Sequence, residues 1–99
     1  MIYVIATLTI KPETRAELLA AAQNSIAATR NEHGCIAYDL YENVADATKL
    51  VFVERWESTD RLEPHRKSDH MRTFGRIAVK CFDAPPKIEI ISPERVDVR

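Results

Sequence analysis

The chain has 99 residues, of which 45% are hydrophobic and 29% are charged, a composition typical of a globular protein. Residues 1–99 are therefore expected to form a single domain with one core, small enough to gain stability from a partner subunit. A formal net charge of −1 offers no basic face, so we expect neither nucleic acid nor a membrane surface as a partner. No apolar run is long enough for a bilayer, and residues 1–10 lack the pattern of a signal peptide.

The two cysteines, Cys35 and Cys81, give no C-x-x-C spacing and are too few for a disulfide scaffold. Free thiols are typical of a reducing compartment. We therefore expect both cysteines to be reduced and the protein to be cytoplasmic.

The first two predicted elements are a strand and a long helix. Residues 1–10 are rich in β-branched types and stop at Lys11-Pro12, which predicts a strand whose even positions face the core. Its odd positions are more polar. Pro12 suits a first helical turn, and the apolar period then predicts a helix to about Glu32, with Gly34 as its left-handed C-terminal residue. The apolar stripe of this helix comprises Leu18, Leu19, Ala22, Ile26 and Ala27.

A hairpin is predicted next. Residues Cys35–Val44 alternate as a strand, with Ile36, Tyr38 and Leu40 on one side. Asn43–Thr48 reads as a turn, and Lys49–Glu57 as a third strand. On that strand three residues share one face: Phe52, Glu54 and Trp56. The short connection makes the two strands antiparallel.

Two helices and a strand complete the chain. Ser58–Asp60 can cap a short helix, in which Pro64 is expected only in the first turn. Ser68 or Asp69 caps a further helix with an apolar stripe at Met71, Phe74, Ile77, Ala78 and Cys81. Pro85-Pro86 stops helical structure, and Lys87–Ile91 predicts the last strand.

The order β-α-β-β-α-β predicts an α+β fold, a ferredoxin-like βαββαβ sandwich with a four-stranded antiparallel sheet and helices on one face. The second face of the sheet must meet water or another subunit. Its strands carry few charges, so we expect a homodimer that pairs two sheets face to face as a dimeric α+β barrel.

The most specific pattern in the sequence is an aromatic residue, Glu and Trp along a strand, then Leu and His on a helix, then a second His or aromatic residue. It consists here of Phe52, Glu54, Trp56, Leu62, His65, His70 and Phe74. Through this pattern, Lys11-Pro12 and the exit at Gly34-Cys35 towards Tyr38, the sequence resembles the antibiotic biosynthesis monooxygenase family over nearly its whole length. The resemblance implies the fold but no single reaction, since relatives include quinol and polyketide oxygenases, an isomerase and haem-degrading proteins.

Two side chains are candidate catalytic groups. The imidazole of His65 has an ordinary pKa of about 6.5, which suits proton transfer at neutral pH, although it is also expected in a loop-like surface position. Glu54 could accept a hydroxyl proton or simply be paired in the structure. The candidate substrate-binding residues are Trp56, Phe52, Tyr38, His70, Phe74 and Thr7. For these the alternatives are packing for the aromatic residues and a capping or surface role for His70. At Thr7 some relatives carry Asn, a difference that argues against haem degradation.

No metal is expected, because a catalytic zinc site takes three protein ligands and His65 and His70 have no evident third. Glu54 is only a nominal candidate for that position. The sequence also lacks a glycine-rich nucleotide motif and any flavin or haem motif, so no cofactor is expected.

The resulting hypothesis is a cofactor-independent monooxygenase that oxidises a hydroxylated aromatic or quinol-type substrate with O₂, using His65 as the base. Two alternatives remain. The same pocket could isomerise a small sugar-derived ketone, with or without a phosphate group, since the spacing of His65 and His70 also resembles that branch, although Ile26 replaces a histidine expected there. The third possibility is a dimeric ligand-binding domain without catalysis.

Overall fold

The elements of the computed structural model, which describes residues 1–99, follow the predicted order. They are β1 (Ile2–Thr9), a 3-10 turn (Pro12–Thr14), α1 (Arg15–Arg30), β2 (Cys35–Asn43), β3 (Asp46–Trp56), α2 (Thr59–Arg66), α3 (Asp69–Cys81) and β4 (Lys87–Ile91). The predicted ferredoxin-like α+β fold is confirmed. None of the helices combines the length and hydrophobicity that a bilayer crossing requires.

The sheet has the strand order β2-β3-β1-β4, and every neighbouring pair is antiparallel. β1 and β3 are therefore central. Their register pairs Ile2 with Trp56, Val4 with Glu54 and Ala6 with Phe52. Directly opposed residues point to the same side of a sheet. The even positions of β1 and β3 thus form one inner face, which shares a core with Leu18 of α1 and Phe74 of α3.

The long helix differs from its prediction at its end and in its buried stripe. α1 stops at Arg30, and Gly34 lies beyond it in the turn before β2, where its φ of 88° confirms a left-handed residue. Ala27 is exposed, whereas Ser25 and Thr29 are buried. The buried stripe includes these two polar residues because an uninterrupted 3.6-residue period from Leu18 passes through their positions.

The hairpin is tighter than predicted. β3 begins at Asp46, because Asn43 and Asp46 each accept a backbone N–H two residues ahead and close the turn locally. The alternation predicted for β2 fails at Ile36, which is 45% exposed while Tyr38 is buried. A register shift between Cys35 and Ala37 breaks the two-residue period there.

Pro64 lies within the second turn of α2, so its restriction to a first turn is wrong. The missing proline N–H removes one helical hydrogen bond, whose acceptor would be the carbonyl of Asp60. Asp60 is exposed, so water can take that carbonyl instead. The helix α3 begins as predicted, with the Ser68 hydroxyl accepting the N–H of Met71 at 3.4 Å.

The outer face of the sheet carries the odd positions of β1 and β3. Its apolar side chains include Tyr3, Ile5, Val51 and Val53, all of them half-buried. The edge strand β4 adds Ile91, which is 38% exposed. The helices pack against the inner face, so this apolar surface has no packing layer of its own within the chain.

The two glycines of the chain provide a matched test of this backbone. Gly34→Ala should destabilise the fold by about 1–3 kcal/mol, because alanine is strained at a φ of 88° and its Cβ would overlap the Arg61 side chain. Gly75→Ala should stabilise it by up to about 1 kcal/mol, because a Cβ there meets nothing within 4 Å in the helix α3. Urea denaturation of both variants measures the change in unfolding free energy, which should be negative for Gly34→Ala and positive for Gly75→Ala. Equal effects would contradict the assigned turn and helix.

Candidate active site

A cavity of about 300 Å³ lies between the inner face of the sheet and the helices α2 and α3. Most of its lining is hydrophobic, and the few polar groups therefore stand out. The lining residues are Val4, Ala6, Leu8, Tyr38, Phe52, Glu54, Leu62, His65, Arg66, Met71, Phe74, Gly75, Ala78, Phe82, Pro86, Ile88 and Ile90. Ile88 and Ile90 belong to β4 and are 62% and 47% exposed, so the cavity opens beside this edge strand.

Glu54 is a carboxyl group that the fold buries in an apolar wall. It is only 5% exposed, because the even positions of β3 face the core. The indole Nε1–H of Trp56 donates to its Oε1 at 3.0 Å. Burial raises the pKa of Glu54 to about 7, although the Trp56 hydrogen bond opposes that shift; the negative charge of Glu32 adds to it. Near neutral pH this group can therefore both give and take a proton.

His65 is buried in the cavity wall, at 3% exposure, and not in the loop-like surface position that the sequence predicts. It lies in α2 with its ring centroid 4.8 Å from that of Trp56 and 5.2 Å from that of Tyr38. Burial lowers the pKa of His65, while the hydrogen bond between Nδ1 and Glu32 Oε1, at 3.1 Å, opposes the shift. The imidazole is consequently held largely neutral at pH 7.

The contact with Glu32 also fixes which nitrogen of His65 carries the proton. A carboxylate oxygen can only accept, so Nδ1 donates to it and Nε2 keeps a lone pair. Glu32 does not line the cavity, whereas His65 does. The arrangement therefore resembles other carboxylate–histidine pairs, in which the acid orients the ring and leaves the second nitrogen as a proton acceptor.

His70 approaches the same Glu32 oxygen with its Nε2, which also lies 3.2 Å from the hydroxyl of Ser68. That hydroxyl donates its hydrogen to the carbonyl of His65 at 2.7 Å, so it can only accept from His70. The two histidines thus meet at one carboxylate oxygen. Glu32 therefore supplies a third potential metal ligand beside His65 and His70, which the sequence spacing does not reveal.

Comparison with known proteins agrees with this architecture. A family model described as antibiotic biosynthesis monooxygenase matches residues 1–76. The chain is 36% identical over 90 residues to the Mycobacterium tuberculosis protein named "Putative monooxygenase Rv0793", covering 91% of this chain and 88% of the relative. It is 32% identical over 85 residues to "Putative monooxygenase YcnE" of Bacillus subtilis, covering 86% and 90%.

The chain belongs to the antibiotic biosynthesis monooxygenase family. Solved structures agree. That of Rv0793 has a TM-score of 0.90 at 31% identity and 98% coverage of both chains. A conserved Methanosarcina mazei protein gives a TM-score of 0.89 at 30% identity, covering 91% of this chain and 89% of its own.

The structure brings five of the eight sequence-predicted site residues of this family member to the cavity surface. They are Phe52, Glu54, Tyr38, His65 and Phe74. The aromatic rings form a connected series, since the centroids of Tyr38 and Phe52 lie 5.2 Å apart and those of Phe52 and Phe74 lie 5.8 Å apart. The inner face of the sheet lines the cavity. The sequence alone did not predict which of the two faces would do so.

The remaining three predicted residues lie outside the cavity. Trp56 is fully buried behind it and supports Glu54 and His65. His70 lies farther from the cavity than His65 and contacts Glu32 and Ser68. Thr7 occupies an odd position of β1 and so points to the outer face, because side chains alternate along a strand. None of the three is placed to touch a ligand within the cavity of this chain.

Glu32 is the residue that sequence reasoning missed, since it was counted as the end of a helix. The predicted pairing of β2 with β3 could have pointed to Glu32. β2 pairs with β3 so that Cys35 faces Trp56, and the Glu57 N–H donates to the carbonyl of Gly34 at 2.9 Å. The turn before β2 must therefore lie beside the start of α2, where His65 and His70 follow.

Glu54→Gln tests the raised pKa through stability. Between pH 4.5 and about 7 the unfolded chain loses this proton while the folded protein keeps it, so wild-type stability falls as the pH rises through this window. The full difference is about 3 kcal/mol. Glutamine cannot ionise and still accepts from Trp56. The advantage of the variant in unfolding free energy should therefore grow by up to about 3 kcal/mol from pH 4.5 to pH 8.

Chemical denaturation at a series of pH values measures this difference directly. Glu57→Gln, at an exposed position just after β3, is the matched control, because it makes the same substitution without a buried carboxyl group. A Glu54→Gln advantage that stayed constant across the series would mean that Glu54 ionises normally in the folded protein.

Proposed function

We propose that the protein is a cofactor-independent monooxygenase that oxidises a hydroxylated aromatic or quinol-type substrate with O₂. Family membership and the names of its two curated relatives support the reaction class. The observation that carries the proposal is an apolar cavity with two buried side chains in its wall that can transfer protons near neutral pH, His65 and Glu54.

The shape and lining of the cavity favour a flat aromatic substrate. Its volume of about 300 Å³ lies at the small end of the usual range for ligand pockets. Phe52, Phe74 and Tyr38 supply ring faces and edges for stacking. An apolar cavity also admits O₂, which is uncharged, and keeps out the water that would compete for reactive intermediates.

In the proposed first step, Nε2 of His65 accepts a proton from a substrate hydroxyl. Its lone pair is available because Nδ1 donates to Glu32. The resulting anion is electron-rich and passes one electron to O₂. The substrate radical and superoxide then combine at a ring carbon to give a peroxide.

In the second step, the peroxide takes up a proton and loses water, leaving one oxygen atom on the substrate. The overall reaction reduces O₂ by four electrons, two from oxidation of the quinol to a quinone and two from the C–H bond that becomes C–OH. All four come from the substrate, so quinol and O₂ become a hydroxyquinone and water without a cofactor. Glu54 is the proposed proton donor, because its pKa of about 7 leaves much of it protonated near neutral pH.

Isomerisation of a small phosphorylated ketone is the second candidate. Its supporting observation is the same pair of proton-transferring groups, which a ketone–enol shuttle would also use. The lining argues for the aromatic substrate instead, since Arg66 is the only lysine or arginine in a largely hydrophobic wall. A phosphate would lose more hydration there than one partly exposed guanidinium can replace.

We also propose that the protein is a homodimer, with two sheets packed through their outer faces. The support is the apolar outer face with no helix over it, whose half-buried residues include Ile5 and Val53. Burying such a surface against its copy is favourable at roughly 25 cal/mol per Å².

Sedimentation velocity at micromolar protein should give twice the chain mass of 11.3 kDa. Val53→Glu, which places a charge in the centre of the outer face, should shift the distribution towards monomer. Val79→Glu is the matched control, because Val79 is 65% exposed on α3. A wild-type chain that sediments as a monomer would contradict the proposed dimer.

The decisive test of the reaction is O₂ consumption with menadiol as the probe substrate. His65→Gln should lower turnover by at least about 100-fold, because glutamine can still donate to Glu32 but cannot act as a base. Burial of His65 makes glutamine a better choice than alanine, which would leave a hole beside Trp56. His33→Gln, at the exposed third histidine, should keep the wild-type rate.

Thermal midpoints measured beside the rates separate catalysis from folding. Trp56→Ala should lose both, since removing a buried indole typically costs about 3–5 kcal/mol. If His65→Gln keeps the wild-type rate while Glu54→Gln abolishes it, the base is the carboxylate. If neither variant changes the rate, the cavity is a binding site and the enzyme proposal fails.

A further inference from the structure

We propose that Glu32, His65 and His70 form a binding site for a divalent transition-metal ion of the zinc class. One carboxylate and two imidazoles from three separate segments of the chain meet here: the turn after α1, the helix α2 and the first turn of α3. This site is distinct from the substrate cavity, which of the three only His65 lines.

The spacing of the ligand atoms suits such an ion. One ligand atom from each of the three residues lies within 4.8 Å of the other two, and Glu32 Oε1 is 3.1 Å from His65 Nδ1. A tetrahedral zinc ion with bonds of about 2.0–2.1 Å holds its ligand atoms roughly 3.3 Å apart. Small side-chain rotations would therefore open the existing triangle enough to receive the ion.

The three side chains are already held in position by the fold. His65 is almost fully buried, and the Glu32 and His70 side chains are only 18% and 25% exposed. Ser68 connects the two histidine segments, because its hydroxyl donates to the His65 carbonyl and lies 3.2 Å from His70 Nε2. The ion would replace this second contact when Nε2 loses its proton. A preorganised site loses less conformational entropy on binding than an exposed cluster would.

The donor set determines the class of ion. Two imidazole nitrogens and one carboxylate oxygen favour Zn²⁺ and its first-row neighbours, whereas Mg²⁺ and Ca²⁺ prefer all-oxygen sets. Two histidines and one glutamate also make up the protein ligands of several zinc enzymes, with a further position left for water.

Metal binding would have a consequence for catalysis, and this part of the inference rests on the proposed function. An ion takes the lone pair of His65 Nδ1, so the ring proton must move to Nε2. Nε2 then has no lone pair and cannot accept a proton from the substrate. The metal-bound protein would therefore be inactive. Glu32 accepts the Nδ1 proton of His65 in the metal-free state and binds the ion in the metal-bound state.

Titration of metal-free protein with Co²⁺ tests the site directly, because its visible absorption reports the ligands and the geometry. The wild-type chain should bind one equivalent and give the intense bands of a four- or five-coordinate ion. His70→Ala and Glu32→Gln should each weaken binding at least about 100-fold, since even changes beyond the ligands cost about 10–100-fold. His33→Ala should bind like the wild type, as should Cys35→Ser, which removes the nearest thiol.

The same variants measured with Zn²⁺ by calorimetry complete the binding test. His70 is partly exposed, so His70→Ala should fold, and its circular dichroism verifies this. Failure of the folded wild-type chain to bind Co²⁺ and Zn²⁺, or equal binding by His70→Ala, would overturn the proposed site.

Turnover of menadiol before and after Zn²⁺ loading tests the inhibition. We expect loss of activity in the wild type, recovery with EDTA, and markedly reduced Zn²⁺ sensitivity in His70→Ala. Unchanged turnover at saturating Zn²⁺ would overturn the inhibition while leaving the site intact. Metal binding by a protein that consumes no O₂ under any condition would instead refute the proposed function alone.

Discussion

The two-residue alternation of the central strands β1 and β3 is the constraint on which this molecule depends. Their antiparallel register sets Ile2 opposite Trp56, Val4 opposite Glu54 and Ala6 opposite Phe52, so each pair shares one face of the sheet. The core, the cavity and the buried carboxyl group are consequences of that register. A shift by one residue would send Glu54 and Trp56 to the outer face and remove the cavity wall together with its acid.

Burial acts in opposite directions on the two titratable groups of the wall. It raises the pKa of Glu54 and lowers that of His65, because in both cases the charged form loses hydration. The result is a neutral imidazole and a partly protonated carboxyl group in the same apolar space. Catalytic acids and bases need pKa values near the working pH, and here the fold shifts them chiefly through desolvation.

Glu32 gives the site a third element outside the cavity. By accepting from Nδ1 of His65 it fixes the tautomer that leaves Nε2 free, and by meeting His70 at the same oxygen it assembles the proposed ligand set. Both roles follow from the antiparallel hairpin, because the pairing of Cys35 with Trp56 brings the turn after α1 against the start of α2. The carboxylate thereby joins three segments of the chain that local interactions alone would leave apart.

The sequence by itself determined the order of the elements, the core face of β1, the residues that share a face on β3, the start of α3 near Ser68 and the resemblance to the family. These features depend on local periodicity and on residue types at short spacing, which the chain displays directly. Tertiary structure decided which sheet face forms the cavity, that His65 is buried, that Thr7 points away from it, and that Trp56 supports the wall from behind. It also decided the partnership of Glu32 with two histidines more than thirty positions away. Such contacts depend on how helices and strands pack across the sheet. A sequence pattern does not give the distance between residues that are far apart in the chain and meet only after folding.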